Sequence, residues 1–311
     1  MLPNYSILHK QDIFITEKYE PDIRRDELSF LSRSFERHFN ERPYLHHACY
    51  LFLTKTTKER SRQQSNWNTL CRGFLVPKEI RDKETVERFM EAVGQFESIV
   101  NDSGLVRLER LTTEEITGTE NEPGIIERYL TLSADGTTML QDMQLNPDEM
   151  RIGDKRLCLH TLSDLDDLPG KVRTDGRYER LSTDRSDCRL SYAAPVGVML
   201  PCDHIYNQWI FIDDSNENLS RFEKAAKNMQ SLSRYSRSNQ INKEWLDEYL
   251  NEAHTNGLQS VRCHCNIIAW AENGDELRRV KNDVGSALAL MECTPHHNTT
   301  DLPALYWAGI P

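Results

Sequence analysis

The sequence predicts an α+β fold in which helices pack on mixed or antiparallel sheets, in two subdomains and without a RecA-like P-loop core. Three observations predict it. Strand-like and helix-like segments follow one another without the regular alternation of a parallel doubly wound sheet. Two strand-like segments, 191–200 and 204–212, are separated only by a short break, which is typical of a hairpin. The chain contains no G-x-x-x-x-G-K-[ST] motif and no G-x-G-x-x-G motif after a strand.

In the first part of the chain, the pattern predicts alternating strands and helices. β-prone residues predict strands at 5–16, 46–53 and 105–111. A helix is expected to begin near Pro21 and to end before Pro43, with apolar residues on one face. A second helix is predicted over 83–100, where apolar residues recur at helical spacing: Val86, Phe89, Met90, Val93, Phe96, Ile99 and Val100. Thr112 and Glu115 have the spacing of a capping box.

The second part begins with a turn-rich region in which we expect short strands at 127–132, 137–143 and 155–162. After the hairpin, helices are predicted at 218–235 and 241–253, and Gly257 is a helix stop. The apolar run 267–270 is a further strand. Asn273 and Glu276 then predict the start of a helix whose apolar stripe consists of Leu277, Val280, Val284, Leu288 and Met291.

These segments suggest three regions: an α+β subdomain over 1–120, an irregular middle region over 121–188, and a second α+β subdomain over 189–311. The chain opens directly on a strand and closes on an apolar cluster at 302–307. We therefore expect it to be a fragment of a longer protein that lacks residues at both ends.

Composition narrows the function classes. The formal net charge of −11 argues against broad nonspecific nucleic-acid binding, which depends on Lys and Arg. No apolar run reaches the ~18 residues of a membrane span, and the N-terminus does not have the pattern of a secretory signal. Eight scattered cysteines indicate reduced thiols and a cytoplasmic location.

Candidate metal ligands lie near the end of the chain. Cys263 and Cys265, with His296 and His297 downstream, are suitable residue types for zinc, although the cysteine spacing is not that of a zinc knuckle. Core packing explains these residues better. The pairs Cys158–His160 and Cys202–His204 could form a nucleophile and a base, but no third orienting group marks either pair. The sequence therefore predicts neither a metal nor a catalytic site.

A basic segment consists of Lys55, Lys58, Arg60 and Arg62. It could contact phosphates or an acidic partner, although a solvated surface loop is the more common role of such segments. Two possible functions therefore stay open: a module that contacts nucleic acid through 55–62, and a small metal-binding protein that uses Cys263 and Cys265.

The chain resembles the N-terminal region of the TraG-type ATPases of conjugative transposons, which are related to the VirB-class traffic ATPases of type IV secretion systems. The resemblance covers nearly the whole chain. The stretches that carry it are HKQDIFI (9–15), LSFLSRSFERHFNERPYL (28–45), CYLFLTKTTKER (49–60), VPKEIRDKETVERFMEAV (76–93), RLCLHTLSDLDDLPG (156–170), LSTDRSDC (181–188), NQINKEWLDEYLNEAH (239–254) and NDVGSALALMEC (282–293).

The resemblance implies a non-catalytic assembly and docking domain that precedes a RecA-like ATPase motor at the inner membrane. ATP and Mg²⁺ are expected only in that motor, since the present chain has no Walker A motif. Implied partners are its own ATPase domain, other conjugation and type IV secretion proteins, and a second copy of itself. The implied location is cytoplasmic and peripheral to the inner membrane. The closing stretch ALYWAGIP looks like the family's junction to the motor, which makes Leu305, Tyr306 and Trp307 candidate interaction residues.

Overall fold

A computed structural model describes residues 2–19, 29–40, 42–58, 81–133, 141–162, 167–169, 172 and 176–310. Their α-helices are α1 (Phe30–Phe39), α2 (Lys83–Asp102), α3 (Thr113–Thr117), α4 (Ile125–Thr131), α5 (Ser215–Leu232), α6 (Arg237–Asn256), α7 (Gly274–Leu290) and α8 (Leu302–Ala308). The strands are β1 (Ser6–Lys18), β2 (Pro43–Lys55), β3 (Met143–Leu145), β4 (Met150–Ile152), β5 (Lys155–Leu162), β6 (Gly176–Arg177), β7 (Arg189–Leu190), β8 (His204–Ile212), β9 (Val261–Ala271) and β10 (His296–His297). The α+β class is confirmed.

Within the described residues, the strands form an eight-stranded sheet in the order β2-β1-β8-β9-β5-β4-β3, with β10 also on β5. The pairs β3–β4, β4–β5, β5–β9 and β5–β10 are antiparallel. The strands β6 and β7 form a separate antiparallel pair. Strands that are neighbours in the sheet are often far apart in the sequence. About a hundred residues separate the end of β5 from the beginning of β9, with which it pairs.

The chain divides into two compact units, each assembled from discontinuous segments. The first contains Met1–His9, Phe52–Glu109 and Trp209–Cys263, and the second contains Lys10–Leu51, Arg110–Gln208 and His264–Pro311. The sequence-based division at residues 120 and 188 concerns consecutive regions and stays a prediction.

In the second unit, β5 and β9 carry buried side chains on both faces. Leu157 and Leu159 belong to one apolar cluster, whereas Cys158, between them, belongs to another. This alternation is the period of a strand. The first cluster includes residues of α4 and α8, and the second includes four residues of α7: Val280, Val284, Ala287 and Leu288. Helices therefore cover both faces, which explains why residues 267–270 read as an uninterrupted apolar run.

Local signals determine where several helices begin and end. The side chain of Asn273 accepts the backbone N–H of Glu276 at 2.8 Å, and α7 follows as predicted. The capping box of Thr112 and Glu115 begins α3. In the first unit, Gly257 ends α6 with φ of 61°, a left-handed conformation that costs glycine little. The rings of Phe222 and Tyr249 join α5 to α6 at 5.4 Å between their centroids.

Three predicted strands are wrong. Residues 127–132 lie mostly in α4, because the carboxylate of Glu127 caps the N–H of Gly124 at 3.0 Å and apolar residues recur at helical spacing. The segment 191–200 contains a 3-10 turn at Ala194–Val196, since Pro195 lacks the N–H that a central strand needs. The segment 105–111 has no strand, and Leu105 is exposed. Residues 137–140 of the strand predicted at 137–143, like 20–28 of the first predicted helix, lie outside the described residues.

Among the helices of the described residues, none combines the length and the apolar character that crossing a membrane requires.

Leu288 and Leu290 give a matched test of the α7 core. Leu288 is 1% exposed and Leu290 is 71% exposed on the same helix. We expect Leu288→Ala to lower the free energy of unfolding by about 2–5 kcal/mol, because it leaves a cavity in the core. Leu290→Ala should change it by less than about 0.5 kcal/mol. Urea denaturation followed by circular dichroism measures both, and equal losses would contradict the packing described for α7.

Candidate functional site

The C-terminal segment is held on one face of the sheet by a pair of tyrosines. Tyr129 donates its hydroxyl to the carbonyl oxygen of Tyr306 at 2.6 Å, and Tyr306 donates its hydroxyl to the carbonyl oxygen of Tyr129 at 2.7 Å. Both tyrosines are almost fully buried, and Leu302, one turn before Tyr306, is buried beside them. Burial raises the pKa of both phenols, so the hydroxyls stay protonated and able to donate. The α8 helix is therefore anchored at both of its turns.

A row of buried amides lies under this segment. The side-chain nitrogen of Gln11 donates to Asn207 Oδ1 at 2.9 Å and to the carbonyl oxygen of Gly309 at 2.8 Å. Asn207 in turn donates to Asn266 Oδ1 at 3.0 Å. In the sheet, Asn266 is in register with Thr161, whose hydroxyl donates to Asn298 at 3.1 Å. The polar row thus crosses four strands, β1, β8, β9 and β5, and binds the backbone just beyond α8.

Residue 309, whose carbonyl oxygen accepts the hydrogen bond from Gln11, must be small. A Cβ atom on Gly309 would lie 2.5 Å from Tyr129 Oη and 3.1 Å from Asn207 Nδ2. Its φ of −86° is open to any residue, so the requirement for glycine comes from the close approach and not from the backbone conformation.

The polar row was not predicted from the sequence. Asn207 and Asn266 lie inside apolar strand patterns, where asparagine is uncommon. Their unusual position in the sequence could have indicated a buried polar contact. The sequence could not show that the amides of separate strands lie on the same face of the sheet.

The proposed interaction residues of α8 differ in exposure. Tyr306 is fully buried within its own unit, Leu305 is half-buried, and Trp307 is 40% exposed. Only Trp307 of the three presents much of its side chain to a partner.

The basic segment is only partly described. Lys55 donates to the carbonyl oxygen of Asn4 and lies 5.6 Å from the centroid of the Tyr5 ring. Burial lowers the pKa of its ammonium group. Lys58 forms an ion pair with Glu217 at 2.8 Å. Arg60 and Arg62 lie outside the described residues. Both described lysines are thus engaged within the first unit, which does not favour the nucleic-acid alternative.

The four candidate metal ligands do not assemble. Among the described residues, no group of three or more His, Cys, Asp or Glu side chains could hold a metal ion. Nε2 of His296 lies 2.7 Å from Asp167 Oδ1, and the His297 ring lies 5.2 Å from the His160 ring. Cys263 is exposed on β9.

The Cys/His pairs have the character of core residues. Burial raises the pKa of the Cys158 and Cys202 thiols to about 12, so neither is a thiolate near neutral pH. The ring nitrogens of His204 lie 2.7 Å from the carbonyl oxygen of Cys202 and 3.0 Å from that of Val196. His204 is thus bonded to the backbone, where it contributes to packing.

Two helices present apolar residues to solvent instead of to the core. In α1, Phe30 is 82% exposed and Leu31 is 76% exposed, and no residue of the helix is buried. In α2, Met90 is 50% exposed and Ile99 is 63% exposed, again with no buried residue. The sequence predicted the apolar stripes of both helices. Only the structure shows that neither stripe is fully buried; exposed apolar patches mark contacts with proteins, membranes or ligands.

Comparison with known proteins found no matching family model and no matching curated protein.

We expect Gly309→Ala to destabilise the second unit by about 1–3 kcal/mol, because buried Tyr129 has to move away from the added methyl group. Gly285→Ala in α7 is the matched control, since a Cβ there meets no atom within 4 Å. That control should be neutral or should stabilise the protein by about 0.5–1 kcal/mol. Thermal unfolding of both variants checks the difference, and a neutral Gly309→Ala would contradict the close contact.

The stability of the protein should fall in mild acid partly because of His160. Burial, followed by the nearby His297 and Lys281, lowers the pKa of His160 to about 4 from its usual 6.5. A histidine with a lowered folded-state pKa stabilises the fold above pH 6.5 and loses that contribution as the pH falls toward 4. His160→Gln should therefore flatten the dependence of unfolding free energy on pH in this window, by roughly 1.4 kcal/mol per pH unit. Denaturation at several pH values measures it, and parallel profiles would show the assignment to be wrong.

Proposed function

We propose that this chain is a non-catalytic assembly and docking domain of a conjugative-transfer ATPase, which acts in type IV secretion machinery at the cytoplasmic side of the inner membrane. The observation that carries the proposal is that α1 and α2 expose large apolar side chains to solvent. Two of the stretches that resemble the TraG-type ATPases, 28–45 and 76–93, contain all of α1 and the first half of α2.

The two helices suit a docking role for a physical reason. An amphipathic helix usually buries its apolar stripe, because each large apolar side chain gains roughly 1.5–3 kcal/mol from leaving water. Phe30 and Leu31 of α1 gain little of this within the chain, because most of each side chain is exposed. A partner protein that covered them would gain it on binding, and such patches commonly mark protein interfaces.

The anchored C-terminal segment fits the same role. In the family, this region leads toward the motor. Here the tyrosine pair and the polar row hold α8 on the sheet. A motor domain connected through such a segment would be attached to the core of the second unit without a loose tether.

Binding to the ATPase motor tests the proposal. The double variants Phe30→Ser with Leu31→Ser and Met90→Ser with Ile99→Ser should keep their stability within about 1 kcal/mol, since at least half of each of these side chains is exposed. At least one of the two should bind the purified P-loop ATPase domain of the same transfer system tenfold or more weakly in calorimetry. Arg37→Ser, an exposed change on the polar side of α1, is the control and should bind normally.

Two results would overturn the proposal. One is wild-type affinity in both double variants, or no binding of the ATPase domain at all. The other is ATP hydrolysis by the purified chain at a rate that persists through further purification, because a docking domain without a P-loop should not hydrolyse ATP.

A further inference from the structure

A semi-enclosed cavity lies in the second unit between α4 and the sheet. Its volume is about 120 Å³, and its walls include a set of large apolar side chains: Ile13, Ile15, Ile125, Leu132, Ile205 and Trp270. The β2 strand contributes alternate residues to the lining, among them Ala48, the smallest side chain of the β2 wall. Since a water molecule accounts for about 30 Å³ of the liquid, this volume is that of about four water molecules, which is enough for a short aliphatic group.

Part of the cavity lining is polar. The lining residues that are not apolar are Glu17, His46, Tyr50, Arg128, Tyr129 and Ser133. Glu17 accepts the hydroxyl of Tyr44 at 2.7 Å and lies 3.8 Å from Nδ1 of His46, so its carboxylate is already engaged. Arg128 is exposed on α4, and the structure gives its guanidinium no hydrogen bond or ion pair with another described residue. An arginine beside an apolar cavity offers two parallel donors to a carboxylate.

Leu132 ends α4 with φ of 50°, the left-handed conformation that commonly terminates a helix, and its side chain is buried in the cavity wall.

We propose that this cavity binds a short aliphatic carboxylate, with its hydrocarbon in the cavity and its carboxylate on Arg128. The same chemistry occurs in a free short-chain acid and in an aliphatic residue such as leucine at the C-terminal end of a peptide. The site is independent of the docking function proposed above, because α4 and the cavity contain none of the exposed residues of α1 and α2.

Calorimetric titration of the full chain with three molecules tests the preference for a carboxylate. The three share one branched carbon skeleton and differ only in their polar group. These are 3-methylbutanoate, 3-methylbutan-1-ol and 3-methylbutan-1-amine. The carboxylate should bind at least tenfold more tightly than the alcohol, and the amine should bind most weakly. Equal affinities, a preference for the amine, or no binding of the carboxylate at 10 mM (about 2.7 kcal/mol of binding free energy) would overturn the proposal. A further pair of ligands separates the sources. N-acetylleucine is compared with 4-methylpentanoate, which has the same spacing between its isobutyl group and its carboxylate. Tighter binding of N-acetylleucine indicates a peptide end, and weaker binding indicates a free acid.

Two variants test whether the ligand binds in the cavity. Arg128→Gln is an exposed change that should keep the fold and remove the preference for carboxylate over alcohol, whereas Arg180→Gln, an exposed arginine away from the cavity, should leave it unchanged. Ala48→Leu adds three carbon atoms to the wall and should lower the affinity for every ligand at least tenfold. Unchanged carboxylate preference in Arg128→Gln would overturn the site even if Ala48→Leu failed to fold.

Discussion

The pairing of β5 with β9 is the constraint on which the second unit depends. The two strands pair over seven positions, from Arg156 opposite Ala271 to Leu162 opposite Cys265. Because both strands bury side chains on both faces, each face needs its own cover of helix. The α7 helix follows β9 directly and covers one face, while α4 and α8 cover the other. The location of the C-terminal segment is thus a consequence of burying this strand pair.

The polar row makes that arrangement specific. Apolar contacts tolerate small shifts between strands and helices, whereas buried amides lose free energy unless they keep their hydrogen bonds. A shift of one residue in β1, β8 or β9 would move Gln11, Asn207 or Asn266 to the opposite face of the sheet and break the row. We therefore interpret the row as a device that fixes the register and, through the carbonyl of Gly309, the position of α8. The row also costs stability, because two of its buried atoms, Gln11 Oε1 and Asn266 Nδ2, have no hydrogen-bond partner among the described residues.

The same face of the sheet carries both the anchored segment and the cavity. Tyr129 takes part in the two, since it bonds Tyr306 and lines the cavity wall. Ile205 and Trp270 likewise belong both to the apolar cluster under α8 and to the cavity. In contrast, none of the residues of α1 and α2 is fully buried. The residues that pack the core under α8 are therefore different from the exposed apolar residues of α1 and α2, which other molecules can contact.

Elements with strong local signals could be predicted from the sequence, because the signal and the structure have the same cause. Residues 273 and 276 cap α7, Gly257 ends α6, and the apolar run of β9 predicts a buried strand. The strand predicted at 127–132 was wrong because it rested only on the β-prone character of its residues. A segment this short can follow a helical or a strand period equally well, and it lies mostly in α4.

What the sequence by itself determined about this protein is its α+β class, its absence of a P-loop motif and the amphipathic character of its helices. Only the tertiary structure decided which apolar stripes are buried, since burial depends on what lies opposite a helix and not on its own pattern. It also decided that Gln11, Asn207 and Asn266 form one row, because 196 residues of chain separate the first two. Long-range pairing of this kind has no local signature, and it places both the anchored segment and the proposed ligand cavity.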